Sequence, residues 1–386
     1  MSNPIHSSTT NLLPCESCSQ VHYCRRSHQS LSLPDSTRIQ EAITALSIAE
    51  QRLLEKYPIP EDRDVSKLTH IRIIFANLSV PISVPRALVD LTQSYANALR
   101  ILIATYIEVN TCSSLQSAYQ LVLEFHYLKI TTPLHSPGRP LEYTISTLLY
   151  MKEDQLCYSY ICGRWRRRNR ETLRTRPEGL DDWEALQRLA DREKFKKDVF
   201  EGLKKGVDTS DGLADVQFQA PMVLLYFWWV RDLKNLQLLK MMERWLVGRL
   251  NFDVYMMIRE YMADTVVIRN RRDLMDEDKT ALIKKMESRM RYHFRSGHYM
   301  NGTFWEQMLE VSENDMEHTV VENARLECTD RSAFPGTPEA DRRILSFLYW
   351  PFRNTPGAFE YVRRMIPEIE SSFSCDDDEE EDNSFP

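Results

Sequence analysis

The chain has 386 residues, of which 42% are hydrophobic and 10% aromatic, and a formal net charge of -7. The run from Asp376 to Asp382 carries seven negative charges, and subtracting it (-7 minus -7) leaves 0 for everything else. A globally basic nucleic-acid binder is therefore disfavoured, while the length calls for two folded units or one extended helical array.

Glycine is scarce, with 11 in the chain, and this favours helices over hairpins and Gly-rich phosphate loops. Residues 1–13 are rich in Ser, Thr and Asn and read as disordered. A cysteine ladder follows within residues 14–41. Pro34 and Asp35 then introduce a helical pattern with Ile39, Ile43, Leu46, Ala49 and Leu53 on one face. Thr37 and Gln40 are spaced as a capping box, and Pro58 and Pro60 end the segment.

Leu68 to Val84 is short and β-branched and reads as helix, then loop. Pro85 to Tyr106 places Leu88, Leu91, Tyr95, Leu99, Leu102, Ile103 and Tyr106 on one helical face. Ser113 or Ser114 is the expected cap of the next helix, with Leu115, Tyr119, Val122, Leu123 and Phe125 inward. Thr131 to Pro140 is a break. Leu141 to Tyr150 and Glu153 to Trp165 form an expected helical hairpin, which closes an N-terminal helical region over 42–165.

Residues 166–181 read as an exposed basic linker, and 182–372 as a C-terminal helical region. Within it Ala220 to Leu246 is apolar nearly all round and is placed in the core. Further helices are expected over Phe252 to Ile268, Asp276 to Tyr292, Thr303 to Val311, Pro338 or Glu339 to Trp350, and Gly357 to Met365. Trp228, Trp229 and the methionines Met256, Met257 and Met262 read as core. Residues 373–386 are an acidic, disordered tail. The pattern predicts a mainly α protein, either an α-solenoid or an irregular helical bundle, with no fixed-period repeat.

Met1 to Pro14 is polar and lacks the apolar core of a signal peptide. No apolar stretch reaches the roughly 18 residues needed to span a bilayer. The eight cysteines are unevenly placed, and a reducing compartment, cytoplasmic or nuclear, is the natural expectation; Cys157 and Cys162 are then buried apolar residues.

The ladder is Cys15-Glu-Ser-Cys18, then Tyr23-Cys24, then His28-Gln29. A CxxC turn presents two thiolates together, and Cys24 and His28 stand one helical turn apart, so Cys15, Cys18, Cys24 and His28 form a candidate zinc set. The segment resembles a MYND-type zinc finger. Cys15, Cys18, Tyr23, Cys24 and Gln29 fall on that family's positions, and His28 stands where the family has cysteine. The resemblance implies two cross-braced zincs, with Cys15 and Cys18 in one and Cys24 and His28 in the other. The family's upstream CxxC has no counterpart in residues 1–14. Its last His and Cys positions fall on Ser36 or Thr37 and on Gln40 or Glu41. Two readings therefore stand: the four survivors close on one zinc, or the finger is degenerate and holds none.

Fungal proteins of that family carry a helical body with a stretch similar to Leu149 to Tyr158, which here includes Asp154, Gln155, Cys157 and Tyr158, followed by Trp165. The apolar segment Met222 to Leu236, with Arg231 and Asp232, looks similar as well. The resemblance implies a protein–protein interaction module that grips short proline-containing peptides.

Arg164 to Arg176 holds seven arginines against Glu171 and suits an import signal, a phosphate patch or an acidic partner. The acidic tail of the same chain is one such partner. Interleaved aromatics are missing, which disfavours nucleic acid as the ligand. The chain has no GxGxxG, phosphate-loop, GxSxG or HExxH motif. Asp208 to Gly212 reads as a turn, and His126, His293, His298 and His318 as surface or half-buried rings. The leading expectation is a non-catalytic interaction protein of the MYND type. The alternatives are a helical scaffold with a metal-free finger, and an enzyme built from dispersed residues.

Overall fold

The structure, a computed structural model, describes residues 13–14, 22–23, 33–58, 71, 86–109, 112–131, 140–171, 216–246, 251, 253–254, 257–258, 262–271, 274, 278–313 and 338–373. The chain divides into two units. One comprises Met1–Met151 with Pro177–Asp191, and the other Lys152–Arg176 with Arg192–Pro386. The expected hairpin partner of 141–150 thus belongs to the second unit. The protein is mainly α, as expected. The readings of 59–70, 182–215 and 374–386, including the Asp208 turn and the disordered tail, lie outside the described residues.

The first unit holds β1 (Leu13–Pro14) and β2 (His22–Tyr23), paired antiparallel with Leu13 opposite Tyr23 and Pro14 opposite His22. Among the described residues α1 (Leu33–Lys56), α2 (Arg86–Val109), α3 (Cys112–Thr131) and α4 (Pro140–Tyr150) follow, and Ile71, between α1 and α2, is helical and buried. α1 packs on α2, α2 on α3, α3 on α4, and α4 also meets α2. The buried stripe is Ile39, Ala42, Ala49 and Leu53 on α1, facing the Leu99, Leu102, Ile103 and Tyr106 helix. Each such aliphatic side chain contributes about 1.5–3 kcal/mol by leaving water. Phe125 of α3 meets Tyr143 of α4 edge-on at 6.1 Å. Arg38 pairs with Glu108 across α1 and α2.

Two expected caps are corrected. α1 begins at Leu33, so Thr37 lies inside it and is exposed. Pro34 explains the early start, because a proline in the first turn gives up an N–H that has no helical partner anyway. α3 begins at Cys112, which puts Ser113 and Ser114 inside its first turn.

The second unit is built on α6 (Val216–Leu246), preceded by α5 (Asp154–Glu171). α7 (Val266–Arg269), α8 (Thr280–Met300), α9 (Thr303–Glu313), α10 (Pro338–Arg353) and α11 (Ala358–Phe373) follow. α6 touches α5, α7, α8 and α10, while α9 and α11 pack on α8 and α10. This is an irregular bundle around one central helix. From Val216 to Val230 every α6 residue except Phe227 is buried, as its all-round apolar sequence demands. Trp305 and Phe294 stack at 4.4 Å in the core, and Phe352 reaches Trp305 at 6.0 Å.

Four expectations change here. α5 runs on to Glu171, so the first part of the arginine run, read as linker, is helical. Phe252 to Ile268 is not one continuous helix: 253–254, 257–258 and 262 are helical, but Ala263 and Asp264 are non-helical and Thr265 is extended (φ -81°, ψ 142°), so the short α7 begins as a separate element. α8 starts at Thr280, where the Asp278 carboxylate takes both the backbone N–H and the hydroxyl of Thr280 (3.0 and 2.7 Å). α11 runs to Phe373 through Pro367, past the expected end at Met365. At the α10–α11 turn Gly357 has φ +85°, a conformation that glycine alone adopts without strain.

Candidate functional site

Cys15, Cys18, Cys24 and His28 lie outside the described residues. The strands beside them are described: the closed end of the ladder, Pro14–His22, leads into Cys15, and the open end, Leu13–Tyr23, leads into Cys24. Among the described residues no group of three or more His, Cys, Asp or Glu side chains is placed to hold a metal.

Among the described residues a cluster of buried polar groups lies inside the second unit, where the start of α5 and the middle of α6 meet the start of α7. Asp154, the first residue of α5, is fully buried. Its Oδ2 accepts the indole N–H of Trp229 at 2.7 Å and the Val267 N–H at 3.2 Å, while Oδ1 accepts the Val266 N–H at 2.8 Å. Asp232, also fully buried, accepts the N–H and the hydroxyl of Thr265 on its Oδ2, both at 2.7 Å. Two carboxylates from two helices therefore take three consecutive backbone N–H groups at the start of α7. Those amides have no helical acceptor, and their dipoles favour negative charge.

Burial raises the pKa of Asp154, and the bonds from Trp229, Val267 and Val266 oppose the shift. Burial likewise raises Asp232, opposed by Thr265 and Arg231. The Asp232 Oδ1 has no hydrogen-bond donor, and Arg231 Nε stands 3.6 Å from it. At the rim Lys152 pairs with Asp264, which Arg231 also approaches at 3.4 Å. Lys152 adopts φ 55°, a left-handed turn residue two positions before α5.

His293 corrects a sequence expectation. It is fully buried, with Nδ1 2.7 Å from Gln219 Oε1, and its ring stacks on Tyr226 at 5.4 Å. Gln219 Nε2 donates to Ser296 Oγ at 3.3 Å, which leaves Oε1 as the acceptor and assigns the proton to Nδ1. Burial, with Arg289 adding to it, holds the imidazole pKa down at about 3. Cys157 and Cys162 are buried, as expected, and the Cys157 thiol is pushed well up by burial. These groups are spent on holding helices together, and their arrangement is that of a structural core.

The exposed surface offers something different. Leu238, Met241 and Met242 are 49%, 53% and 46% exposed on the last turns of α6. They stand at i, i+3 and i+4, one face of the helix. Met257, read as core, is 70% exposed, and Val254 is 43% exposed. Met262 is half-buried, and the side chain of Met256 lies outside the described residues. On α1, Thr37, Gln40, Glu41, Thr44, Ala45 and the exposed Ile48 line an open cavity of about 480 Å³.

Sequence reasoning identified Asp154, Cys157, Tyr158, Trp229 and Asp232 only as pattern. It missed Thr265, Gln219 and the burial of His293, for which a Thr after Asp in an apolar stretch is a weak local signal. Comparison with protein-family models, curated proteins and solved structures returns no match.

Proposed function

We propose that this chain is a non-catalytic protein–protein interaction protein, carrying a MYND-like ladder on a helical body and working in the cytoplasm or nucleus. The observation that carries the reading is the α6 stripe of Leu238, Met241 and Met242, exposed where the first half of the same helix is buried. Apolar area left in water forgoes roughly 25 cal/mol per Å², and adaptable methionines suit a contact surface. The test is proximity labelling with the wild type and with Leu238→Glu/Met241→Glu/Met242→Glu. Neighbours lost only in the variant support the reading; identical neighbour sets sink it.

The ladder adds a donor set of three thiolates and an imidazole, which has the chemistry of a zinc site. Cys15, Cys18, Cys24 and His28 would hold the ion, whose part is to fix the segment's fold. One zinc per chain, lost in both Cys18→Ser and His28→Ala, is the expected measurement. A metal-free scaffold is the second reading. It is favoured by α1, which takes up the positions of the family's last two ligands with Thr37, Gln40 and Glu41, all exposed on the helix. A wild type free of zinc selects it.

A further inference from the structure

We propose that the acidic run Asp376–Asp382 docks in cis on a basic stripe of α8. Lys284, Ser288, Arg291 and Arg295 are all exposed, and their spacings of four, three and four place them on one face of the helix. Lys285 is exposed beside them. α8 carries five Lys and Arg residues against a single carboxylate, Glu287, which is engaged by Lys234 at 2.7 Å. Among the described residues Lys284, Arg291 and Arg295 make no ion pair. Among the described residues the stripe is thus a row of cations outside any ion pair, and the run is the densest anionic segment of the chain.

Placement makes the two partners local. α11 packs on α8, with Tyr361 edge-on to Phe294 at 6.0 Å, one turn from Arg291. From Tyr361 to the end of α11 at Phe373 the helix covers about 18 Å. An extended chain leaving Phe373 reaches Asp376 after about 10 Å and Asp382 after about 30 Å. The charged run therefore covers the return distance to the stripe, and the short tether holds it there at high effective concentration. The arginine run at 164–176 is the competing basic surface, but among the described residues α5 packs chiefly on α6 and α7, whereas α8 packs on the helix that leads into the tail.

Zero-length carbodiimide crosslinking of the full chain tests this, with a mixture of isotope-labelled and unlabelled protein to separate products within one chain from products between chains. The expected product is an amide within one chain, joining a carboxylate of 376–382 to Lys284 or Lys285. It should vanish at about 1 M salt, where the Debye length is about 3 Å. It should also vanish in Arg291→Ser/Arg295→Ser, which keeps both lysines and the helix content, and persist in Arg166→Ser/Arg167→Ser/Arg168→Ser. Three results overturn the proposal: absence of that product, products only between chains, or a product that survives the α8 variant and is lost in the arginine-run variant.

Discussion

Trp229 on α6 donates its indole N–H to the buried carboxylate of Asp154, the first residue of α5, at 2.7 Å. Its neighbour Trp228 donates to the Thr355 hydroxyl at 2.8 Å, which in turn donates to the Pro351 carbonyl at 2.8 Å. Adjacent tryptophans on the central helix thus fix two different segments of the second unit, the start of α5 and the α10–α11 turn.

Removing the Asp154 carboxylate strips the acceptor from three N–H groups at once. Asp154→Ala should lower stability by about 3–5 kcal/mol, and Trp229→Phe by about 2–4 kcal/mol, since it loses one donor and some volume. Urea unfolding of each variant reads both. Equal, small shifts of the midpoint would show that the carboxylate is not the acceptor described.

The Asp232–Thr265 pair separates hydroxyl from backbone. Thr265→Val removes the hydroxyl donor but keeps the N–H, and should cost about 1–2 kcal/mol. Thr265→Ser restores that donor and should recover most of the loss in the same unfolding assay.

The buried imidazole makes stability depend on pH. His293 has a folded pKa of about 3, below its ordinary 6.5. Between those values the unfolded chain binds a proton that the folded chain does not, so its contribution is full above about 6.5 and is lost as pH falls. The slope is about 1.4 kcal/mol per pH unit at most. Asp154 and Asp232 are raised, so they act with the opposite sign, their contribution falling as pH rises through their folded values. The stability difference between wild type and His293→Gln should therefore shift in favour of the wild type as pH rises from about 4 to 6.5. A difference independent of pH would mean the imidazole is protonated in the fold.

Gly297 lies in α8, where alanine would ordinarily gain about 1 kcal/mol of helix propensity. A Cβ there would stand 3.3 Å from Gln219 Cβ and 3.5 Å from the Trp305 ring. Gln219 is held by His293 and Ser296 and cannot retreat without breaking one of those bonds. Gly297→Ala should therefore destabilise, by about 1–2 kcal/mol net, as a lowered melting temperature.

Helices with one sustained apolar face could be read from the chain. α2 shows its buried Leu88, Tyr95, Leu99, Leu102, Ile103 and Tyr106 at the expected spacing, and α6 its burial nearly all round. The errors fall where tertiary partners override local pattern. Phe252 to Ile268 is apolar enough for a helix, but Asp232 and Asp154 capture the amides of Thr265 to Val267 and set the start of α7. His293 has no local sign of burial, because Gln219, its partner, is 74 residues away. Met257 carries the same side chain whether buried or exposed, so composition could not place it.

The turn at α7 depends on contacts 33 and 112 residues away, from Asp232 and Asp154. It therefore cannot gain its acceptors until α5 and α6 have docked, and in kinetic terms it belongs late in assembly. Substitutions at Asp154 or Thr265 should then leave the refolding rate nearly unchanged and quicken unfolding, the signature of a low φ-value. The carboxylates that anchor the turn would act as the brake on opening and not as the seed of folding.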